Sequence, residues 1–84
     1  MIEKTVKIEN ELGLHARPAA LFVRECSKYK SEIYLKKNDF QINAKSIMGI
    51  MAMGISEGDE VEIIVDGPDE ERAMSEIVKV LEEL

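Results

Sequence analysis

Residues 32–44 read EIYLKKNDFQINA, two short runs of alternating apolar and polar side chains on either side of Asn38 and Asp39. Alternation with a period of two marks a half-buried strand, because successive side chains leave the backbone toward opposite faces of a sheet. Asn and Asp tolerate the left-handed backbone of a tight turn, so the pair predicts a hairpin. Ile33 and Leu35 are expected to face the same core as Phe40 and Ile42. A hairpin implies antiparallel pairing, and the segments flanking it then decide the fold.

Upstream, Ile2, Val6 and Ile8 share one parity while Glu3, Thr5 and Lys7 take the other, which predicts a further strand. Lys4 on the apolar parity marks an end or an edge. After the polar turn ENELG (9–13), Ala19, Phe22, Val23 and Cys26 recur at helical spacing. They predict a helix from about residue 16 to 28, with Arg17, Arg24 and Lys28 outside. Downstream, Ser46 precedes the apolar stretch IMGIMAMG (47–54) as a helix N-cap, and Gly54 can end it, although Gly49 argues against a long helix. EVEIIVDG (60–67) is a strand with Val61, Ile63 and Val65 inward. PDEERAMSEIVKVLEEL (68–84) opens with a proline and three acids, as a helix start prefers. It puts Ala73, Met74, Ile77, Val78, Leu81 and Leu84 on one face.

The predicted order is β-α-β-β-α-β-α, an α+β chain whose simplest packing is one antiparallel sheet with helices on one face. Pattern alone leaves strand order open and makes a ferredoxin-like arrangement the default. Eighty-four residues, 45% hydrophobic and 33% charged, suit a single domain spanning 1–84 with one modest core. A formal charge of −6 disfavours nonspecific attraction to nucleic acid. No apolar run reaches the ~20 residues of a membrane span and the first residues lack a signal-peptide pattern, so a cytoplasmic protein is expected. A lone Cys26 and a lone His15 provide neither an internal disulfide nor a metal cluster, and no cofactor is expected; Cys26 reads as a small buried hydrophobe.

His15 lies in GLHARPAA (13–20), where the polar turn becomes a helix. Pro18 fits a first turn, whose amides have no carbonyl to bond. Those amides and the positive end of the helix dipole disfavour an imidazolium, favour a neutral, nucleophilic ring, and attract a phosphoryl group. Arg17 adds a forked cation that suits phosphate oxygens. The plainer alternative is a capping or surface histidine. KSIMGIMAMG (45–54) also has two readings. Either Ser46 is an ordinary cap with Ile47, Met48, Ile50 and Met51 in the core, or three of the five methionines form an adaptable contact surface. In the second case phosphate on Ser46 would stabilise the helix start and add about −1.5 to −2 charges there. Arg17, Arg24 and Lys28 form either a solvated face or a site for an acidic partner.

Both motifs, at this separation in a chain of this length and element order, resemble the HPr family of histidine-containing phosphocarriers of the sugar phosphotransferase system. The resemblance spans the chain from KTVKI (4–8) to the last helix. It implies an open-faced β-sandwich with a four-stranded antiparallel sheet in the order 1-4-2-3, in place of the ferredoxin-like default. It also implies that His15 accepts a phosphoryl group on Nδ1 from phosphorylated enzyme I, ultimately from phosphoenolpyruvate. The group then passes to the enzyme IIA components of sugar permeases, with Arg17 holding the phosphate. Such proteins are carriers and not turnover enzymes. The text around Ser46 is similar to the Gram-positive form, in which an ATP-dependent HPr kinase/phosphorylase modifies the serine and the product works with a catabolite control protein. Leu14, Arg17, Ala20, Arg24, Ile47, Met48 and Met51 fall where such proteins dock partners, and a monomer is expected. Position 12, a small polar residue in many relatives, is Leu12. Histidine at position 15, where the regulatory-only relative carries glutamine, favours the carrier. A nitrogen-branch paralogue stays open.

Two rivals come from other classes. An acylphosphatase-like hydrolase would use Arg17 with a water held by Asn10 or Asn43. An RNA-binding module is disfavoured by only four aromatics, Phe22, Tyr29, Tyr34 and Phe40, and by the negative charge.

Overall fold

The computed structural model describes residues 1–11 and 13–84. Its elements are β1 (Ile2–Lys7), α1 (Ala16–Cys26), β2 (Glu32–Lys37), β3 (Phe40–Asn43), α2 (Ile47–Met53), β4 (Glu60–Asp66) and α3 (Glu70–Glu83). The strands form one antiparallel sheet in the order β1-β4-β2-β3, so the two centre strands are β4 and β2. This is the arrangement the HPr resemblance implies and not the ferredoxin-like one.

Register follows the alternation read from the sequence. Val6 pairs with Val61, Ile63 with Leu35, and Leu35 with Ile42, which lays the apolar parities of all four strands on one face. The helices cover that face: Phe22, Cys26, Ile50, Ala73 and Ile77 are fully buried together with Ile33, Leu35, Val61, Ile63 and Val65. Lys4 lies exposed on the edge strand β1, as its parity suggested.

Three local expectations are corrected. Helix α1 ends at Cys26, two residues early: Ser27 still donates its amide and its hydroxyl to the Val23 carbonyl (2.9 and 2.7 Å), but Lys28 and Tyr29 then tighten to bonds three residues back, to Glu25 and Cys26. Phe40 shares the parity of Ile42 but is 51% exposed, because it pairs with Lys37 at the hairpin end of the edge strand. Pro68 precedes α3, whose N-cap is Asp69. The Asp69 carboxylate reaches away from its own helix to accept from the amides of Lys30 (2.9 Å) and Ser31 (3.0 Å) and from the buried Ser31 hydroxyl (2.5 Å). These bonds, the hydroxyl first, hold its carboxyl down at about 2. Gly67 passes so close to Ser31 that an added Cβ would lie 2.5 Å from the Ser31 Cα. Asp69 and Gly67 thus tie the start of α3 to the entry of β2. Lys45 braces the same entry by donating to the carbonyls of Tyr29 (2.7 Å) and Ser31 (3.0 Å).

Candidate functional site

The His15 loop is held from both sides by backbone. Gly13 closes the preceding turn by donating to the Asn10 carbonyl (2.9 Å), and its φ of 61° lies in the left-handed region that suits a residue without a Cβ. Any Cβ at this position would press on the Ile55 carbonyl oxygen and come within 2.9 Å of the Ser56 Cα. That close approach lets the next amide, of Leu14, bond the same Ile55 carbonyl at 3.1 Å. After His15, the chain enters α1 with Ala19 N–H donating to the His15 carbonyl at 2.8 Å.

The segment that receives Leu14 is itself fastened. Asp59 accepts from Ser56 N–H at 2.8 Å and pairs with Lys37 at 2.7 Å, and the same ammonium reaches the Gly54 carbonyl at 3.2 Å. The lysine bond, followed by the Ser56 amide, holds the Asp59 carboxyl below the usual range. Ile8 exchanges bonds with this segment as well, donating to Asp59 (2.8 Å) and accepting from Gly58 (2.7 Å).

Upon this frame His15 is the N-cap of α1, in extended backbone (φ −75°, ψ −173°), with an exposed side chain that makes no capping bond. The capping half of the plainer alternative therefore has no bond behind it, while the surface half agrees with the exposed ring. The amides of Ala16 and Arg17 precede the first intrahelical bond, and Pro18 has none, so the two have no carbonyl partner within the helix. Arg17 is exposed and no acid stands in the first turn. What this arrangement offers chemically is an accessible ring nitrogen, two main-chain donors and a guanidinium: a place where an anionic group can sit on the ring.

The second motif lies on the helix packed beside α1. Ser46 caps α2 by accepting from Gly49 N–H at 3.0 Å, and Gly54 ends it in the left-handed region. Seven residues can bury only one stripe, and here it is Ile50 and Met53. Ile47 (41% exposed), Met48 (80%) and Met51 (48%) face solvent, which corrects the reading of these three as core. Ala20 and Arg24 are exposed on α1, and so is Leu21, a large apolar side chain that the sequence reading missed. Leu21 follows Ala20 one position outside the buried spacing of Ala19 and Phe22, and that offset was its available signal. Leu14 is the other correction. At 4% exposure it is a core residue that anchors the loop and presents no docking surface. Leu12 lies outside the described residues.

Remaining candidates separate from the site. Lys28 is tied to Glu25 (3.0 Å) and Asn43 spends its side-chain oxygen on the Lys45 amide (2.8 Å). Cys26 is fully buried, with its thiol pushed up to about 12 by desolvation. Among the described residues, no helix is long and apolar enough to cross a membrane.

A protein-family model described as the PTS HPr component phosphorylation site matches residues 2–83. The phosphocarrier protein HPr of Treponema pallidum is 48% identical over 82 residues, which cover 98% of this chain and 93% of that protein. Among solved structures, the HPr-C-His of Thermoanaerobacter tengcongensis superposes with a TM-score of 0.95 at 49% identity, covering 99% of this chain and 93% of that one. Crh of Bacillus subtilis, described as a catabolite repression containing protein and as a dimer with a swapping domain, superposes at 0.80 with 41% identity, covering 99% and 95%.

Proposed function

Because the chain belongs to the HPr family, phosphocarrier proteins of the phosphotransferase system and not turnover enzymes, we propose that His15 is the residue that carries the phosphoryl group. The supporting observation is the exposed, unbonded ring at the α1 N-cap, beside two amides without helical partners and an exposed arginine. The Nδ1 lone pair of the neutral ring attacks the phosphorus of phosphorylated enzyme I. An N–P bond forms as the donor's bond to phosphorus breaks, and the group later leaves to an enzyme IIA component in the same way. The Ala16 and Arg17 amides and the Arg17 guanidinium meet the phosphoryl oxygens. Exposed side chains of the adjoining helices, Ala20, Arg24, Ile47, Met48 and Met51, form the docking face. The monomer is the exchanging state.

Family membership removes the hydrolase rival. With phosphoenolpyruvate and enzyme I, the protein gains one acid-labile phosphoryl group by intact mass, and His15→Ala gains none while keeping its circular dichroism spectrum. An acid-labile adduct on the folded variant overturns the assignment.

Ser46 carries a second, regulatory reading, supported by its cap geometry and by the likeness to Crh. As a cap its oxygen accepts, so its O–H proton is left for a kinase to remove. Phosphate there keeps the helix start supplied with acceptor oxygens and sets negative charge beside Ile47 and Met48. ATP and an HPr kinase/phosphorylase are expected to add one acid-stable phosphate, and the product to bind a catabolite control protein. An active kinase that leaves the protein unmodified rules this half out.

A further inference from the structure

Four of the five methionines divide into two classes by burial, and the division falls within one helix. Met48 is 80% and Met51 48% exposed, whereas Met53, on the same short helix, is 9% exposed and Met74 7%. Met48 and Met51 stand three residues apart, which puts them on neighbouring turns of one face, next to the exposed Ile47. Thioether sulfur is a soft two-electron reductant, and its oxidation turns a flexible apolar side chain into a polar one, which disrupts methionine-rich contact surfaces.

We propose that Met48 and Met51 form a reversible oxidation site that switches the docking face of α2 off under peroxide. The inference rests on the carrier reading, since the face it alters is the one assigned to docking. A sulfur lone pair attacks one oxygen of hydrogen peroxide, the O–O bond breaks, and a sulfoxide and water result. Methionine sulfoxide reductases return the oxygen as water while a dithiol becomes a disulfide. Neither sulfoxide strains the fold, because both side chains already face solvent; the cost falls on the partner, which must desolvate two polar S–O groups where it met thioethers.

The test uses the intact protein, treated with hydrogen peroxide and read by peptide mass mapping, then by the rate of phosphoryl acceptance from enzyme I with phosphoenolpyruvate. Oxygen is expected on Met48 and Met51 well before Met53 and Met74, with acceptance slowed at least tenfold and restored by reductases for both sulfoxide epimers. Met1, 69% exposed beside Glu70 on the far side of the sequence from α2, also oxidises and serves as an internal control. In the Met48→Leu, Met51→Leu double variant, Met1 still gains oxygen, yet the ratio of treated to untreated rates is one, whatever the starting rate. Equal oxidation of buried and exposed methionines, or an oxidised protein that accepts at the untreated rate, overturns the inference alone. An untreated protein that accepts no phosphoryl group overturns the carrier reading and this inference with it.

Discussion

Replacing Gly13 with alanine tests whether the His15 loop is held by a close backbone approach or merely by a turn preference. Two costs are separable, because Gly54 shares the left-handed conformation (φ 67°) but has open space where a Cβ would go. Gly54→Ala therefore reports the conformational penalty alone, roughly 1–2 kcal/mol less the few tenths to 1 kcal/mol regained from a stiffer unfolded chain. Gly13→Ala adds overlap with the Ile55 carbonyl and the Ser56 Cα, both main-chain atoms. Overpacking that forces backbone to move costs about 1–3 kcal/mol, and separation of Leu14 N–H from the Ile55 carbonyl costs about 1 kcal/mol more. The expected loss is about 1 kcal/mol for Gly54→Ala and about 3–5 kcal/mol for Gly13→Ala. In a domain of this size these translate to melting temperatures lowered by roughly 4–8 °C and 12–40 °C. Urea titration with parallel calorimetry checks both. Phosphoryl acceptance below the unfolding range should drop further in Gly13→Ala, since the His15 backbone loses its anchor. Equal losses for the two variants would refute the argument that Ile55 and Ser56 receive the loop.

Other consequences follow from caps and carboxylates. Ser46→Ala removes the acceptor of the Gly49 amide and should cost about 1 kcal/mol in urea titrations, while Ser46→Asp, which keeps a capping oxygen, should cost less. The Asp69 carboxyl is depressed to about 2, so it binds its proton less readily in the folded than in the unfolded chain. Its contribution is present above the ordinary carboxylate value near 4 and is lost as pH falls through about 2. Urea midpoints of the wild type should decline over that window, and those of Asp69→Asn should start lower at neutral pH and decline less; parallel curves would show that the Ser31 and Lys30 bonds carry no pH dependence.

Apart from α2, apolar throughout and legible only from its Ser46 and Gly54 ends, strands and helices were legible because burial imposes period two on the first and about 3.6 on the second. Ile33, Leu35, Val61, Ile63 and Val65 were read as inward for this reason and are buried. What could not be read depends on coverage and on contacts between distant segments. Phe40 has the correct parity, but parity does not report where the helical layer stops. Ile47, Met48 and Met51 are as apolar as Ile50, and only the position of a seven-residue helix over the sheet decides which of them is covered. The role of Gly13 needs Ile55 beside it, and the Asp69 carboxylate serves β2 and not its own helix; neither pairing leaves a periodic trace in the chain. His15 and Arg17 could be paired from the sequence because both belong to one helix start, where the structure leaves them exposed.

Rigidity and looseness are divided at this helix start in a way that suits a group that has to leave again. The bonds that hold the His15 chain segment act on backbone, Gly13 to Asn10, Leu14 to Ile55 and Ala19 to His15, with the Lys37–Asp59 side-chain pair and the Lys37 bond to the Gly54 carbonyl behind them. The imidazole itself makes no capping bond, and the donors near it are two amides and one arginine. A relay transfers in both directions only if neither side holds the phosphoryl group much more tightly, and each additional 1.4 kcal/mol of stabilisation on the carrier biases the exchange about tenfold. A denser cradle would trap the group. A looser loop would spend binding energy on ordering the ring at each encounter. Fixing the main chain while leaving the ring unbraced avoids both, so in the proposed carrier role of His15 the Ile55 anchor, remote in sequence and without chemistry of its own, serves the ring through its backbone.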